Sequence, residues 1–393
     1  YVTLDKLGSI SRGKSKHRPR NDKTLFGGKY PFIQTADVKA AGLYLTEYTE
    51  TYNDKGLAQS KLWPAGTLCI TIAANIADTT ILGIDACFPD SVMGFIPFEG
   101  VSNVKYVKYA FDILQRDCKK ISQGTAQDNL SWKKLSTIKF PAPDIEIQDK
   151  IVSILSVYDD LIENNKKQIK LLEEAAQRLY KEWFVDLRFP GHEDIAIVDG
   201  VPEGWTEDTI DSKIDLLSGY AFKSAEFNDE GTYKIVTIKN VKDGQFDGDN
   251  VSRMVDIPPK MPEHCKLSDG DILLSLTGNV GRVCIVHGDN YLLNQRVAKI
   301  KSDNPTYAYC LFRSKDMFDE MNNLANGAAQ QNLSPIRTGK IKVIFPTDKL
   351  IDTFEEIVSP MVEKITMLNK TMLLLLQARD RLLPKLMSGE IEV

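Results

Sequence analysis

The chain contains an internal repeat with an offset of 203 residues, and this repeat constrains the fold more than any other feature. Tyr30, Ile33 and Val38 recur as Tyr233, Val236 and Val241. At the same offset, within one residue, residues 66–75 match 270–279, residues 124–131 match 327–334, and residues 138–143 match 341–346. Matches of this length at a nearly constant offset indicate two copies of one folding unit.

Each copy has two parts, a mixed α/β stretch followed by a long helix. Short apolar runs at residues 67–72, 272–276 and 340–345 are bounded by Gly, Pro and Asn, which predicts strands. The expected fold class is therefore α+β, with two tandem globular regions and two long helices. The expected boundaries are 1–143 for the first globular region, 144–188 for the first long helix, 189–205 for a linker, 206–346 for the second globular region and 347–389 for the second long helix.

Both long helices carry apolar residues at gaps that alternate between three and four, which predicts a coiled-coil seam. The first seam contains Ile151, Leu155, Tyr158, Ile162, Asn165, Ile169, Leu172, Ala176, Leu179 and Trp183, and the second contains Ile351, Phe354, Val358, Met361, Ile365, Leu368, Met372, Leu375, Arg379, Leu382 and Leu386. The polar exceptions Asn165 and Arg379 resemble residues that set the pairing register at a cost in stability. Two unrelated amphipathic helices on separate cores remain the alternative.

Equal length and equal place in the repeat favour pairing of the two helices with each other, in antiparallel orientation. The 33 residues from Ile151 to Trp183 span roughly 50 Å of helix. Such a pair would place the two globular regions at opposite ends and relate them by a pseudo-two-fold axis. Pro360 lacks a backbone donor and predicts a break or kink near the start of the second helix.

The net charge of -5 conceals an uneven distribution of charge. Residues 1–143 contain 19 Lys and Arg against 13 Asp and Glu, and residues 277–345 contain 9 against 5. Locally basic surfaces are compatible with nucleic acid, because phosphate affinity comes from local clusters of cations. Ordinary variation of surface charge explains these numbers equally well.

The candidate DNA-binding residues are Lys, Arg, Asn and Gln side chains in segments where the two copies differ, together with neighbouring Thr and Tyr. Residues 11–20, the basic segment, contain five cations and no acid and suit a phosphate contact, although a solvated loop is the alternative. The candidates are Arg12, Lys14, Lys16, Arg18, Arg20, Thr35, Lys39, Asn75, Gln123 and Gln127 in the first copy, and Tyr220, Lys223, Lys239, Asn240, Lys242, Asn279, Arg282, Gln295, Arg296, Gln330 and Gln331 in the second. Side chains of the Arg, Lys, Asn and Gln type pair with base edges in the major groove. For each residue alone, capping of a turn is an equally good explanation.

No motif for catalysis or for metal binding occurs in the sequence. The phosphate-binding loop of ATPases, the serine-hydrolase and zinc-protease motifs and the Asn-Pro-Pro-aromatic tetrad of amino-methyltransferases are absent. The six cysteines form no C-x-x-C pair, and only four histidines are present, so neither a zinc site nor a disulfide framework is expected. No apolar run is long enough for a membrane span, and no secretory signal opens the chain. We therefore expect a non-catalytic cytoplasmic protein with no cofactor of its own.

This architecture resembles the specificity (S) subunit of type I restriction-modification systems over essentially the whole chain. Residues 178–184 (RLYKEWF) at the end of the first helix, 201–205 (VPEGW) at the start of the second copy and 382–390 (LLPKLMSGE) are similar to segments of that family. The combination of the tandem architecture with these segments carries the resemblance.

The resemblance implies that each globular region is a target-recognition domain that enters the major groove at one half of a bipartite, asymmetric DNA site. It also implies two methyltransferase (M) subunits that use S-adenosylmethionine, and restriction (R) subunits driven by ATP and Mg²⁺. The expected partners are therefore double-stranded DNA and these subunits, and no membrane. A coiled-coil scaffold without a DNA target is the alternative, which the divergence between the two copies disfavours.

Overall fold

A computed structural model describes residues 1–73, 76–122, 132–249, 251–325 and 332–393, and the side chains of residues 116–122 and 132 lie outside this description. The chain divides into two compact units. Unit 1 contains Tyr1–Glu163 with Leu375–Val393, and unit 2 contains Asn164–Leu374. Each long helix therefore contributes to both units.

Unit 1 contains the first globular region. Its strands are β1 (Val2–Thr3), β2 (Gly8–Arg12), β3 (Phe26–Phe32), β4 (Tyr44–Leu45), β5 (Glu50–Tyr52), β6 (Leu62–Trp63), β7 (Leu68–Thr71), β8 (Thr79–Leu82), β9 (Ala86–Cys87), β10 (Val92–Pro97) and β11 (Lys139–Phe140). Its helices are α1 (Thr35–Ala40), α2 (Asp54–Ala58), α3 (Val104–Ser122) and α4 (Trp132–Leu135), with 3-10 turns at Leu4–Lys6 and Lys23–Leu25. The first long helix, α5 (Ile145–Tyr180), continues as a π turn at Lys181–Val185.

Unit 2 contains the second globular region. Its strands are β12 (Ile197–Val198), β13 (Val201–Pro202), β14 (Thr206–Thr209), β15 (Ile214–Ser218), β16 (Tyr233–Val236), β17 (Val241–Lys242), β18 (Gln245–Phe246), β19 (Ser252–Met254), β20 (Lys266–Leu267), β21 (Ile272–Ser275), β22 (Val283–Ile285), β23 (Tyr291–Leu293), β24 (Val297–Ser302) and β25 (Lys342–Phe345). Its helices are α6 (Pro305–Arg313), α7 (Lys315–Ala325) and α8 (Pro335–Gly339), and the second long helix is α9 (Asp348–Ser388). Its 3-10 turns are His192–Asp194, Ile210–Ser212, Ser224–Glu226 and Glu263–Cys265.

The two globular regions have similar sheet topologies, although β4 adds a fifth strand to the larger sheet of unit 1 and unit 2 has an additional antiparallel pair, β17 with β18. One sheet has the order β2-β10-β7-β8-β4 in unit 1 and β15-β24-β21-β22 in unit 2. A second sheet has the order β5-β3-β9-β6 in unit 1 and β19-β16-β23-β20 in unit 2, and its middle pair is parallel in both units. A short antiparallel pair, β1 with β11 or β14 with β25, completes each region. The repeat in the sequence is thus a repeat in the fold.

Burial explains the central strands. β7 and β21 have all four residues buried, as expected for strands with a covered sheet on both sides. Aromatic side chains fill the remaining core, including Trp63 and Phe95 in unit 1 and Phe312 and Phe345 in unit 2. The burial of these large side chains is the main favourable contribution to folding.

The two long helices run antiparallel, as predicted. In unit 1, Lys150 of α5 bonds to Val393 beyond the end of α9, and Asp159 bonds to Arg379, so numbers rise along α5 while they fall along α9. The following predicted seam positions are all buried or half-buried: Ile151, Leu155, Tyr158, Ile162, Asn165, Ile169, Leu172, Leu179, Ile365, Leu368, Met372, Leu375, Arg379 and Leu382.

Two details differ from the sequence-based expectation. α9 continues without a break through Pro360, which is exposed, so water can bond the carbonyl group that the proline leaves unpaired. The predicted linker at 189–205 contains the hairpin β12–β13, and its ends are anchored by Phe189 and Trp205, whose ring centroids lie 5.3 Å apart in the core of unit 2. Burial of these two rings holds both ends of the segment in place, although its Pro and Gly content is typical of a linker.

Candidate nucleic-acid interface

The basic segment follows strand β2 and lies on the surface of unit 1. Arg12, Lys14 and Lys16 are exposed, and none of the three has an ion-pair partner among the described residues. Their backbone is nevertheless ordered, because Lys14 N–H donates to the carbonyl of Phe88 and Ser60 Oγ donates to the carbonyl of Lys14. Three unpaired cations on an anchored loop are available to phosphate oxygens.

The other two cations of the segment contact Asp90. Arg20 Nη2 donates to Asp90 Oδ1 at 2.6 Å and to Oδ2 at 2.9 Å, and Arg18 Nη2 lies 3.9 Å from the same carboxylate. Arg18 also donates through Nη1 to the carbonyl of Ser15 at 2.7 Å. The guanidinium groups remain half exposed, at 56% and 50%, but Asp90 offsets part of their charge.

A cleft of about 690 Å³, the first cleft, opens beside the basic segment. It is lined by Ser15, Arg20, Asn21, Lys23, Phe26, Gly27, Phe32, Gln34, Thr35, Glu50, Pro89 and Ser91. Gln34 Nε2 donates to Glu50 at 2.6 Å, and the ring of Phe32 stacks on Tyr52 with centroids 4.1 Å apart. The cleft thus combines donors, one carboxylate and an aromatic floor.

A second cleft of about 900 Å³ lies in unit 2. It is lined by Ser218, Ile238, Leu276, Thr277, Gly278, Gln295, Arg296, Asn332, Leu333, Ser334 and Pro335. Gln295 and Arg296, both predicted from sequence, are exposed at this cleft, and the side chains of both lack a hydrogen-bond partner within the described ranges. Asn332 forms an isolated bridge to Thr277 across the same opening.

The two clefts share three equivalent places in the repeat. Both clefts include residues at or just after the end of the first strand of the larger sheet (β2 or β15). Both also include residues just after the first long strand of the smaller sheet (β3 or β16) and residues in the turn before β10 or β24. Thr35 in the first cleft and Ile238 in the second are related by the repeat offset. The same scaffold therefore presents a different set of side chains in each unit.

Several predicted residues lie on the surface but outside the clefts. Lys39 is exposed at the end of α1, Lys223 and Lys239 are exposed in unit 2, and Asn279 is exposed in the turn between β21 and β22. Arg282 follows in that turn, and lines a separate cavity of about 500 Å³.

One predicted residue, Asn240, needs correction, and two others have contacts within unit 2. Asn240 is fully buried, and its side chain accepts from Thr237 N–H and donates to the carbonyl of Asp247, so it stabilises a turn and is not available to a base. Lys242 is paired with Asp247 at 2.9 Å. Tyr220 is half-buried, with its ring edge-on to Phe222, and contributes to packing.

Asn75, Gln123, Gln127, Gln330 and Gln331 lie outside the described residues. Both clefts are also lined by polar residues that the sequence did not predict as DNA-binding: Asn21, Lys23 and Gln34 in the first and Asn332 and Ser334 in the second. Asn21 and Lys23 directly follow the basic segment, and Asn332 and Ser334 lie within a segment that matches between the two copies. These positions were the signals by which the sequence could have indicated a role for them.

The described thiols lie in an environment that disfavours nucleophilic catalysis. The described cysteines Cys69, Cys87, Cys265, Cys284 and Cys310 are free and buried. Burial raises the pKa of these thiols, which disfavours the nucleophilic thiolate. In the part of the chain that the structure covers, no group of three His, Cys, Asp or Glu residues could hold a metal ion. Among the described helices, none has the length and apolar character needed to cross a membrane.

The chain is similar to known proteins of one family. The family model of the type I restriction modification DNA specificity domain matches residues 1–174 and 202–367, one match for each copy of the repeat. The type I restriction enzyme MjaIX specificity subunit of Methanocaldococcus jannaschii is 26% identical over 391 residues, covering 94% of this chain and 89% of that protein. The EcoR124I/EcoR124II specificity subunit of Escherichia coli is 29% identical over 197 residues, covering 47% of each chain.

The fold is also similar to that of a solved structure. The crystal structure of a type I restriction-modification system S subunit from M. genitalium has a TM-score of 0.60 and 18% identity, and the alignment covers 98% of this chain and 94% of that one. At this identity the likeness concerns the fold alone. The two family-model matches cover most of the sequence, and the chain therefore belongs to the type I restriction modification DNA specificity domain family.

Proposed function

We propose that this chain is the DNA-recognition subunit of a type I restriction-modification complex and that each globular region recognises one half of a bipartite, asymmetric target. The observation that carries the proposal is the pair of equivalent clefts with different linings. A shared scaffold with divergent polar side chains is expected when two copies of one domain recognise two different sequences.

The side chains of each cleft suit base edges and phosphates. Arg20, Asn21 and Lys23 in the first cleft offer donors for guanine and adenine edges and for phosphate oxygens. Gln295 and Arg296 have the same chemistry in the second cleft. The free cations of the basic segment would add affinity that does not depend on sequence.

The helix pair would set the length of the DNA between the half-sites. Two recognition domains on one face of B-DNA sit about one turn apart, roughly 34 Å. α5 contains 36 residues, or roughly 54 Å of helix, which is long enough to span that distance. The unrecognised spacer of the DNA would lie along this pair.

Partner subunits would supply the catalysis. We infer that methyltransferase subunits, two of them, bring S-adenosylmethionine, and that restriction subunits bring ATP and Mg²⁺, all in the cytoplasm. The long helices expose apolar side chains that suit a protein partner: Val157 and Leu161 in unit 1, and Leu171, Met367 and Leu374 in unit 2.

Mapping of modified adenines tests the proposal. The chain is expressed with the methyltransferase encoded beside its gene, in a host that lacks both, and the DNA is sequenced by a single-molecule method. We expect a split motif of two short half-sites around a spacer of fixed length.

Substitution Arg296→Ala should relax one position of one half-site and leave the other half unchanged, since a bidentate contact discriminates by about 1–3 kcal/mol. Lys301→Ala, an exposed cation of β24 outside the cleft, is the matched control. Absence of modification by a folded, assembled complex would favour a coiled-coil scaffold instead.

A further inference from the structure

Unit 1 contains a buried charge network where the globular region meets both long helices. The hydroxyl of Tyr109 in α3 donates to Asp159 of α5, and Arg379 Nη1 of α9 donates to the other oxygen of the same carboxylate at 2.7 Å. The Asp159 side chain is 4% exposed and that of Arg379 is 23% exposed. One carboxylate thus connects the globular region to both helices.

Unit 2 contains a network of the same composition. The hydroxyl of Tyr309 in α6 donates to Glu173 of α5 at 2.7 Å, and Arg313 of α6 donates to the same carboxylate and contacts Asp243 at 3.3 Å. The side chains of Glu173 and Arg313 are 12% and 13% exposed. Here the carboxylate connects the second globular region to α5.

Each globular region is also bonded to the helix that follows it in sequence. Asn103 Nδ2 donates to Asp149 of α5 at 2.9 Å, and Asn304 Nδ2 donates to Asp352 of α9 at 3.0 Å. The two aspartates are related by the repeat offset of 203. In unit 1, the globular region bonds to α5 directly and is connected to α9 through Asp159 and Arg379. In unit 2, the globular region bonds directly to both α5 and α9.

A gain in folding stability does not explain why these charged groups are buried. Withdrawing a carboxylate and a guanidinium from water costs several kcal/mol per ion, and well-packed apolar side chains in their place are often neutral or stabilising. Arg379 even interrupts an apolar seam. Where buried polar groups are retained in coiled coils, their best-attested role is to select one register among alternatives. Each network satisfies its charges in one arrangement, and any sliding or rotation of the globular region would leave a buried charge unpaired.

We propose that the Tyr109–Asp159–Arg379 and Tyr309–Glu173–Arg313 networks are positioning devices that hold each globular region at one angle to its helices and thereby restrict the DNA spacer to one length. The inference rests on the proposed function. One additional base pair of spacer moves a half-site by about 3.4 Å and rotates it by roughly 35° about the DNA axis. A hinge between globular region and helix would accommodate this change, and a buried network opposes it.

The test is the adenine map of a variant in which the first network is replaced by apolar residues. Tyr109→Phe, Asp159→Leu and Arg379→Met together remove both charges and the hydroxyl that donates to Asp159, so that none of the three groups is left unpaired. The matched control is Lys385→Met with Glu390→Leu, an exposed pair at 2.9 Å in the same unit. We expect the variant to keep both half-sites and to modify sites with a spacer one base pair longer or shorter about tenfold more often than the wild type, which corresponds to losing about 1.4 kcal/mol of discrimination. The control should keep the wild-type spacer.

A milder variant covers the case in which the triple substitution does not fold. Tyr109→Phe keeps the ring, which is buried, and removes only the bond to Asp159. It should relax the spacer in the same direction, with assembly confirmed by gel filtration with the methyltransferase. An unchanged spacer in an assembled variant would overturn the inference while the proposed function stands. A wild-type complex that modifies no split motif would refute the proposed function itself.

Discussion

The basic segment provides a prediction whose magnitude follows from the structure. Arg12, Lys14 and Lys16 are exposed cations without ion partners in the described structure, whereas Arg18 and Arg20 share Asp90. Each phosphate that a cation neutralises contributes about -0.9 to the slope of log K against log salt concentration. Replacement of the three free cations by Gln should therefore reduce the slope by about 2.7. Between 50 and 200 mM salt, the wild type should lose about 40-fold more affinity than the variant.

The assay is fluorescence anisotropy of a random-sequence duplex with the complex of this chain and its methyltransferase, titrated at several salt concentrations. Arg18→Gln with Arg20→Gln is the matched control, and should reduce the slope by no more than about 0.9, because Asp90 already offsets one of the two charges. Asp90→Asn should increase the slope instead. Equal slopes for the wild type and the triple variant would show that these cations do not contact DNA.

Two further predictions concern the stability of unit 2. Phe354→Ala should lower the free energy of unfolding by about 3–5 kcal/mol, because the ring is fully buried, with its centroid 5.8 Å from that of Trp183 and 5.1 Å from that of Phe184. Phe318→Ala, at a ring that is 42% exposed, should lower it much less. Equal urea midpoints for the two variants would contradict this account. Burial lowers the pKa of His287 below its usual 6.5. As the pH falls through 6.5, this residue therefore binds a proton more readily in the unfolded chain than in the folded chain, and the free energy of unfolding decreases. His287→Gln should reduce the loss of the urea midpoint between pH 7.5 and 5.5, and an unaltered pH dependence would exclude this contribution.

The sequence predicts the repeat and the helix pair because both depend on local periodicity. Apolar residues at matching offsets form the same strands in both units, and the alternating three- and four-residue gaps place Leu155 and Ile365 in buried positions. Prediction was weaker for single polar residues. Asn240 and Gln295 are both amides in segments that differ between the two copies, yet Asn240 is buried in a turn and Gln295 is exposed at a cleft. Nothing in their local sequence distinguishes the two environments.

The sequence alone determined the number of copies, the order of the elements, the antiparallel helix pair and the basic character of residues 11–20, since these features repeat or cluster within short stretches of chain. Only the tertiary structure decided which side chains meet. Asp90 lies 70 residues from Arg20, and Asp159 lies 220 residues from Arg379. Such pairs have no periodicity along the chain, because their contact is set by the packing of sheets and helices around them. The clefts and the buried networks, where the proposed functions reside, are contacts of this long-range kind.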